Sequence, residues 1–119
     1  MAPKFHIFLL LLSLSFVPGQ FHDITVGRKV LVGQWLPIKN PKEAIVQEIG
    51  KFAVTTYNQD NQQKLVYQNV TRGQTQVVAG TNYRLTIAAK DNGTANHYEA
   101  IVFDQPWTHT RNLTSFKPQ

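Results

Sequence analysis

The sequence contains no cysteine. That absence excludes a disulfide framework, a thiolate nucleophile, a thiolate metal site and a Cys-x-x-Cys redox motif. A chain of 119 residues must then hold together on one modest apolar core, which its length permits. Charge is sparse as well, with 12 lysines and arginines against 7 acidic residues and a formal net charge of +5. The positive residues, among them Lys29, Lys39, Lys51, Lys64, Arg84, Lys90 and Arg111, are scattered along the chain. Without a basic block there is no footprint for nucleic acid, and the charges read as a solvated surface. Glycine-rich phosphate loops, nucleophile motifs and metal-ligand spacings are missing too, so no cofactor and no metal are expected. The longest apolar run, from Ile7 to Val17, is interrupted by Ser13 and Ser15 and is too short to cross a bilayer as a helix.

What that run does have is the layout of a secretory signal peptide. Lys4 stands before it, and Pro18 and Gly19 follow. It lacks the polar face that a helix lying on a core would show. Residues 1–19 are therefore expected to be a signal peptide cleaved near Gly19, giving a secreted protein with no stable membrane insertion afterwards. Residues 20–30, QFHDITVGRKV, show no helical period and read as a flexible N-terminal arm. Residues 31–118 form the expected domain, and the protein is expected to be a monomer. In a secreted chain the three Asn-x-Thr tripeptides at Asn69, Asn92 and Asn112 are candidate N-glycosylation sites. Asn92, within KDNGTANH, has the best loop context, whereas Asn69 and Asn112 fall inside strand-like runs.

Along the domain, Trp35–Ile38 reads as a short strand, on an edge because Pro37 cannot donate to a ladder. NPKE reads as a helix start, with Asn40 as cap, Pro41 in the first helical position and Glu43 reaching back. The following AIVQEIGKFAVTTYNQ carries two adjacent stripes, Ile45, Ile49, Phe52, Thr56 and Val46, Gly50, Ala53, Tyr57. These predict an amphipathic helix in which Gly50 lets a strand cross closely. Beyond NQDNQQ, the runs KLVYQNVTRG, QVVAGTNYRLTIAAK, HYEAIVFD and TRNLTSF read as strands, with KDNGTANH as a turn or loop and QPWTH as a break. In the second run Tyr83, Leu85, Ile87 and Ala89 share one face. The expected fold class is α+β, with one long helix packed on a four- to five-stranded antiparallel sheet.

Candidates for catalysis are few. His97 with Glu99, and His109 with Arg111, fall on common sides of adjacent strands, where a histidine pair could serve general acid–base hydrolysis. They read more simply as surface residues of an antiparallel sheet, and the chain is not expected to be an enzyme. The informative residues are apolar and sit where the chain turns: Leu31-Val32-Gly33, then Val77-Val78-Ala79 in front of Gly80, then Pro106-Trp107. Taken singly, each has a plain explanation. The valines could be mid-strand residues, Trp107 could fold back on the core, and Gly33 could loosen the arm.

Their order and spacing carry more. Leu31-Val32-Gly33 with Pro37 downstream, IGKFAV on a helix, Gln76-x-Val78-x-Gly80 and Pro106-Trp107 together resemble the cystatins, inhibitors of papain-like cysteine proteases. The helix stretch Ile49-Gly50-Lys51-Phe52-Ala53-Val54, with TNYRL, YEAIV and RNLTSF, is similar to the plant branch, the phytocystatins. The resemblance spans Leu31 to Pro118. It implies a wedge of three segments that reversibly plugs a protease cleft: the arm at Leu31, Val32 and Gly33, a first hairpin loop of Gln76, Val77, Val78, Ala79 and Gly80, and a second with Pro106 and Trp107. Exposed valines at a turn then make sense as surface built to be covered. Many plant members have two glycines before the tryptophan; here the second place is Gln34. Ending at Gln119, the chain is expected to lack the C-terminal extension that some plant members use against legumain-type proteases. The competing expectation is a binding module of the same fold, for a receptor or a glycan, without protease inhibition.

Overall fold

The computed structural model describes residues 32–119. The expected signal peptide, the arm over 20–30 and Leu31 lie outside the described residues. Within them the order is β1 (Trp35–Pro37), α1 (Ala44–Asn61), β2 (Val66–Val77), β3 (Thr81–Asp91), β4 (Thr94–Gln105), a 3-10 turn (Pro106–Thr108) and β5 (Thr110–Pro118). The five strands form one antiparallel sheet in sequence order, with β1 and β5 at its edges. The expected α+β architecture, one helix on an antiparallel sheet, is what residues 32–119 adopt.

The helix begins one turn later than NPKE suggests. The Asn40 side chain accepts from the Lys42 N–H at 3.1 Å, and the Glu43 N–H closes back onto the Asn40 carbonyl at 3.1 Å. Asn40 thus caps a separate turn, and Glu43 becomes the residue before the helix, without a side-chain cap of its own. The buried face is also rotated from the two expected stripes. Val46, Ile49, Gly50, Ala53 and Val54 are buried, whereas Ile45 is 39% exposed and Phe52 and Tyr57 are half-buried. This face packs on Leu65, Val70, Leu85, Ile87, Ala89, Tyr98, Ala100 and Val102. Tyr57 and Phe116 stack at 4.1 Å between ring centroids and close one end of the core.

Gly50 is where β2 crosses the helix. A Cβ there would overlap the Val70 side chain and stand 3.2 Å from the Tyr67 ring, so only glycine admits this approach. Two amide side chains of α1 then fasten the strand. Gln47 Nε2 donates to the Val70 carbonyl at 3.2 Å while its Oε1 accepts the Val70 N–H at 3.1 Å. Asn58 makes the same two-way pairing with Leu65, at 2.9 and 3.0 Å. Eleven helical residues advance about 16 Å, and five strand residues about 17 Å, so the two lengths match. Peptide groups five apart on a regular strand point to opposite edges. The register shift between Tyr67 and Asn69 inserts the residue that brings both to the same side.

Of the two expectations about turns, one is sharpened and one corrected. KDNGTANH, expected as a turn or loop, is the tighter of the two: β3 and β4 run on to Asp91 and Thr94, which pair across a two-residue turn. Asn92 (φ 55°) and Gly93 (φ 87°) both adopt the positive φ of a type I′ hairpin. QVVAGTNYRLTIAAK is not one strand. β2 continues through Gly73 to Val77, and the chain reverses over residues 78–80 before β3. The three sequon asparagines are exposed, Asn69 in β2, Asn112 in β5 and Asn92 at the turn. Among the described residues no helix is long and apolar enough to cross a membrane.

Candidate functional site

Sheet register decides which turns become neighbours. Trp35 at the start of β1 pairs with Gln76 near the end of β2. Thr81 at the start of β3 pairs with Asp104 near the end of β4, and Gln105 pairs with Thr110. Residues 32–34, 78–80 and 106–109 therefore gather at one end of the sheet, and the Asn92–Gly93 turn lies at the other. Three segments far apart in sequence form one edge.

The first segment is set by Gly33, whose φ of 85° favours glycine, with open space around its Cα. Its N–H donates to the Val77 carbonyl at 3.0 Å, and its carbonyl accepts from Gln76 Nε2 at 3.0 Å. The Oε1 of Gln76 in turn accepts from Asn82 Nδ2 at 2.8 Å. In the first loop the Val78 N–H donates to the Gly80 carbonyl at 2.9 Å. Gly80 is buried at φ 127°, and a Cβ on it would stand 2.8 Å from Phe103 Cζ and 2.9 Å from the Asp104 carbonyl oxygen. Both conformation and space demand glycine here.

In the second loop Pro106 opens a single 3-10 turn, for which its fixed φ is suited. His109 closes it at φ 55°, its N–H on the Pro106 carbonyl at 2.9 Å. Gln105 Nε2 reaches across to the Ala79 carbonyl at 2.8 Å, joining the two hairpins. The Thr108 hydroxyl donates to Gln105 Oε1 at 2.7 Å. At the base of this hairpin Arg111 Nε donates to Asp104 at 2.8 Å, and its Nη1 to Glu48 of α1 at 2.9 Å. The hydrogen bond to Asp104 is the main cause holding the Arg111 pKa above its usual value.

The side chains at the tips face water. Val32 is 69% exposed, Val77 46% and Trp107 67%; Ala79 and Pro106 are also exposed, and Val78 is half-buried. The plain explanations for the valines and for Trp107 thus give way, since neither Val77 nor Trp107 folds back on the core. The histidines are not brought together. His97 lies at the far end of β4, its carbonyl bonded to the Gln119 N–H, while His109 sits at the loop end. Sequence reasoning missed Asn82, Gln105 and Thr108, whose roles depend on cross-strand neighbours that no local pattern reveals.

The same arrangement of sequence is found in known proteins. The chain is 56% identical over 92 residues to cysteine proteinase inhibitor 1 of Actinidia chinensis var. chinensis, covering 76% of this chain and 79% of that one. It is 49% identical over 113 residues to cysteine proteinase inhibitor 5 of Arabidopsis thaliana, covering 94% and 90%. The chain belongs to the plant cystatin family. Residues 38–119 of this cystatin also match the family model described as SQAPI, aspartic acid proteinase inhibitor. Among solved structures, the salivary cystatin of the soft tick Ornithodoros moubata superposes with a TM-score of 0.65 at 25% identity, over 75% of this chain and 99% of that one.

Proposed function

We propose that the protein is a reversible, tight-binding inhibitor of papain-like cysteine proteases that enters the active-site cleft with the edge formed by Val32-Gly33, residues 76–80 and Pro106-Trp107. The observation that carries this reading is the co-location of exposed Val32, Val77 and Trp107 at one end of the five-stranded sheet. Leu31 and Val32 would fill apolar substrate pockets. The positive φ of Gly33 turns the backbone away before a peptide bond reaches the attacking sulfur. Trp107 supplies the large aromatic anchor, of about 150–250 Å². No covalent step is needed, and the protein is an inhibitor, not an enzyme. The signal-like layout of residues 1–19 supports secretion, with the protein acting as a monomer that carries glycans at one or more of Asn69, Asn92 and Asn112.

Titration of active papain tests this reading. Inhibition in the nanomolar range or tighter, about −12 kcal/mol of binding, is expected. No inhibition at micromolar concentration would leave the binding module of the same fold as the better description. A parallel titration of pepsin addresses a second reading. The matching family model is described as an aspartic acid proteinase inhibitor and begins at residue 38, so it omits Val32 and Gly33. Pepsin inhibition that survives Gly33→Glu would place a second activity outside the arm.

A further inference from the structure

We infer that Gln76 and Gln105 are positioning residues that bridge the three segments of the inhibitory edge to one another, rather than contacts to the protease. The inference rests on the reading just given, since it assigns roles within that same edge. Both ends of each side-chain amide are engaged inside the protein. Gln76 donates to the Gly33 carbonyl and accepts from Asn82, tying the arm to the first hairpin. Gln105 donates to the Ala79 carbonyl and accepts from Thr108, tying the first hairpin to the second. The bonded partners are 43 residues apart for Gln76 and Gly33, and 26 apart for Gln105 and Ala79.

The chemistry selects glutamine at both places. A carbonyl oxygen on one side requires a donor, and an amide or hydroxyl hydrogen on the other requires an acceptor. A side-chain amide offers both from one planar group. Glutamate keeps the size and the acceptor but sets an oxygen against a carbonyl oxygen. Methionine keeps the length and offers neither strong donor nor acceptor. Asparagine is one methylene short. Three loops that move independently when free must be ordered together on binding, and each ordered side chain or loop costs affinity. Two bridges already closed in the free protein remove part of that cost, leaving the tips of Val77, Ala79 and Trp107 free to face the partner.

The test uses Gln76→Glu and Gln105→Glu, with Gln76→Met and Gln105→Met in reserve should the added charge prevent folding. On the free protein, the ¹⁵N heteronuclear NOE reads local order. Gln76→Glu is expected to loosen Val32 and Gly33 while leaving Ala79 as in the parent. Gln105→Glu is expected to loosen residues 78–80 and 106–108 while leaving Gly33 unchanged. Either change is expected to weaken papain inhibition by about fivefold, the scale of one net hydrogen bond. A double-mutant cycle separates positioning from contact. If Gln76 acts through the arm, Gln76→Glu costs less in a Val32→Ala background than in the parent. Unchanged NOE values at Gly33 and Ala79, or strictly additive losses with Val32→Ala, would overturn the inference. Failure of the parent protein to inhibit papain would instead remove the inhibitory reading, while the NOE data would still decide whether the two amides bridge the segments.

Discussion

Arg111 and Asp104 are register partners on β5 and β4, and the guanidinium Nε stands 2.8 Å from the carboxylate at the base of the hairpin that carries Trp107. Asp104 is only 5% exposed. Removing the arginine would leave a buried carboxylate without its main partner and cut the tie to Glu48 on α1. Arg111 is partly in water, which tempers the loss. Arg111→Leu is expected to destabilise the fold by about 2–3 kcal/mol, read as a lower urea midpoint. An unchanged midpoint would show that the second hairpin does not depend on this pair.

Gly33 separates inhibition from stability. Its positive φ strains any other residue, yet nothing lies within 4 Å of where a Cβ would be. Gly33→Glu is therefore expected to weaken protease inhibition at least tenfold, about 1.4 kcal/mol, with the melting temperature nearly unchanged. An unaltered inhibition constant would count against a role for the arm.

Gly80 should behave differently. A side chain there meets Phe103 and the Asp104 backbone at less than 3.0 Å, and the backbone φ of 127° is also glycine's. Gly80→Ala is expected to cost about 1–3 kcal/mol of stability and to weaken inhibition as the first loop shifts. Parallel thermal melts of the Gly33 and Gly80 variants check the contrast: equal losses would show that the two glycines are held by the same constraint.

Trp107 is two-thirds exposed on a single 3-10 turn. Trp107→Ala is expected to cost about 2 kcal/mol or more of protease binding, measured by the inhibition constant, with the folded state intact by circular dichroism. Unfolding on this substitution would mean that the ring supports the core after all.

Much of this architecture was legible in the residues because it rests on periodicity. The apolar spacing from Val46 to Tyr57 gave the helix, and the alternation Tyr83, Leu85, Ile87, Ala89 gave the inner face of β3. Gln76-x-Val78-x-Gly80 and Pro106-Trp107 marked the two loops through resemblance, although alternation alone merged the first loop into a strand. Harder to see were features in which a polar side chain bonds to something distant. Asn40 could cap a helix or a turn, and only the backbone closure to Glu43 decides. Gln47 and Asn58 look like solvent-facing helix residues until β2 is placed beside them. Asn92-Gly93 reads as a turn dipeptide, but its tightness follows from strands pairing on both sides. Gln105 carries no local signal; its meaning comes from Ala79 across the sheet.

Two tyrosines tie stability to alkaline pH. Burial raises the Tyr67 phenol above its ordinary value of 10.0. For Tyr83 burial is again the first cause, with the Asp104 carboxylate adding to it. In both cases the folded protein holds the phenol proton more tightly than the unfolded chain does. Their contribution is therefore fully present below the ordinary tyrosine pKa and is lost as pH rises through the raised folded values. Urea midpoints compared at about pH 8 and about pH 11 should fall for the parent protein. Tyr83→Phe supplies the control. It removes one ionising phenol and keeps the ring, and its midpoint should fall less than the parent's. An identical fall in the two proteins would remove Tyr83 from the alkaline transition.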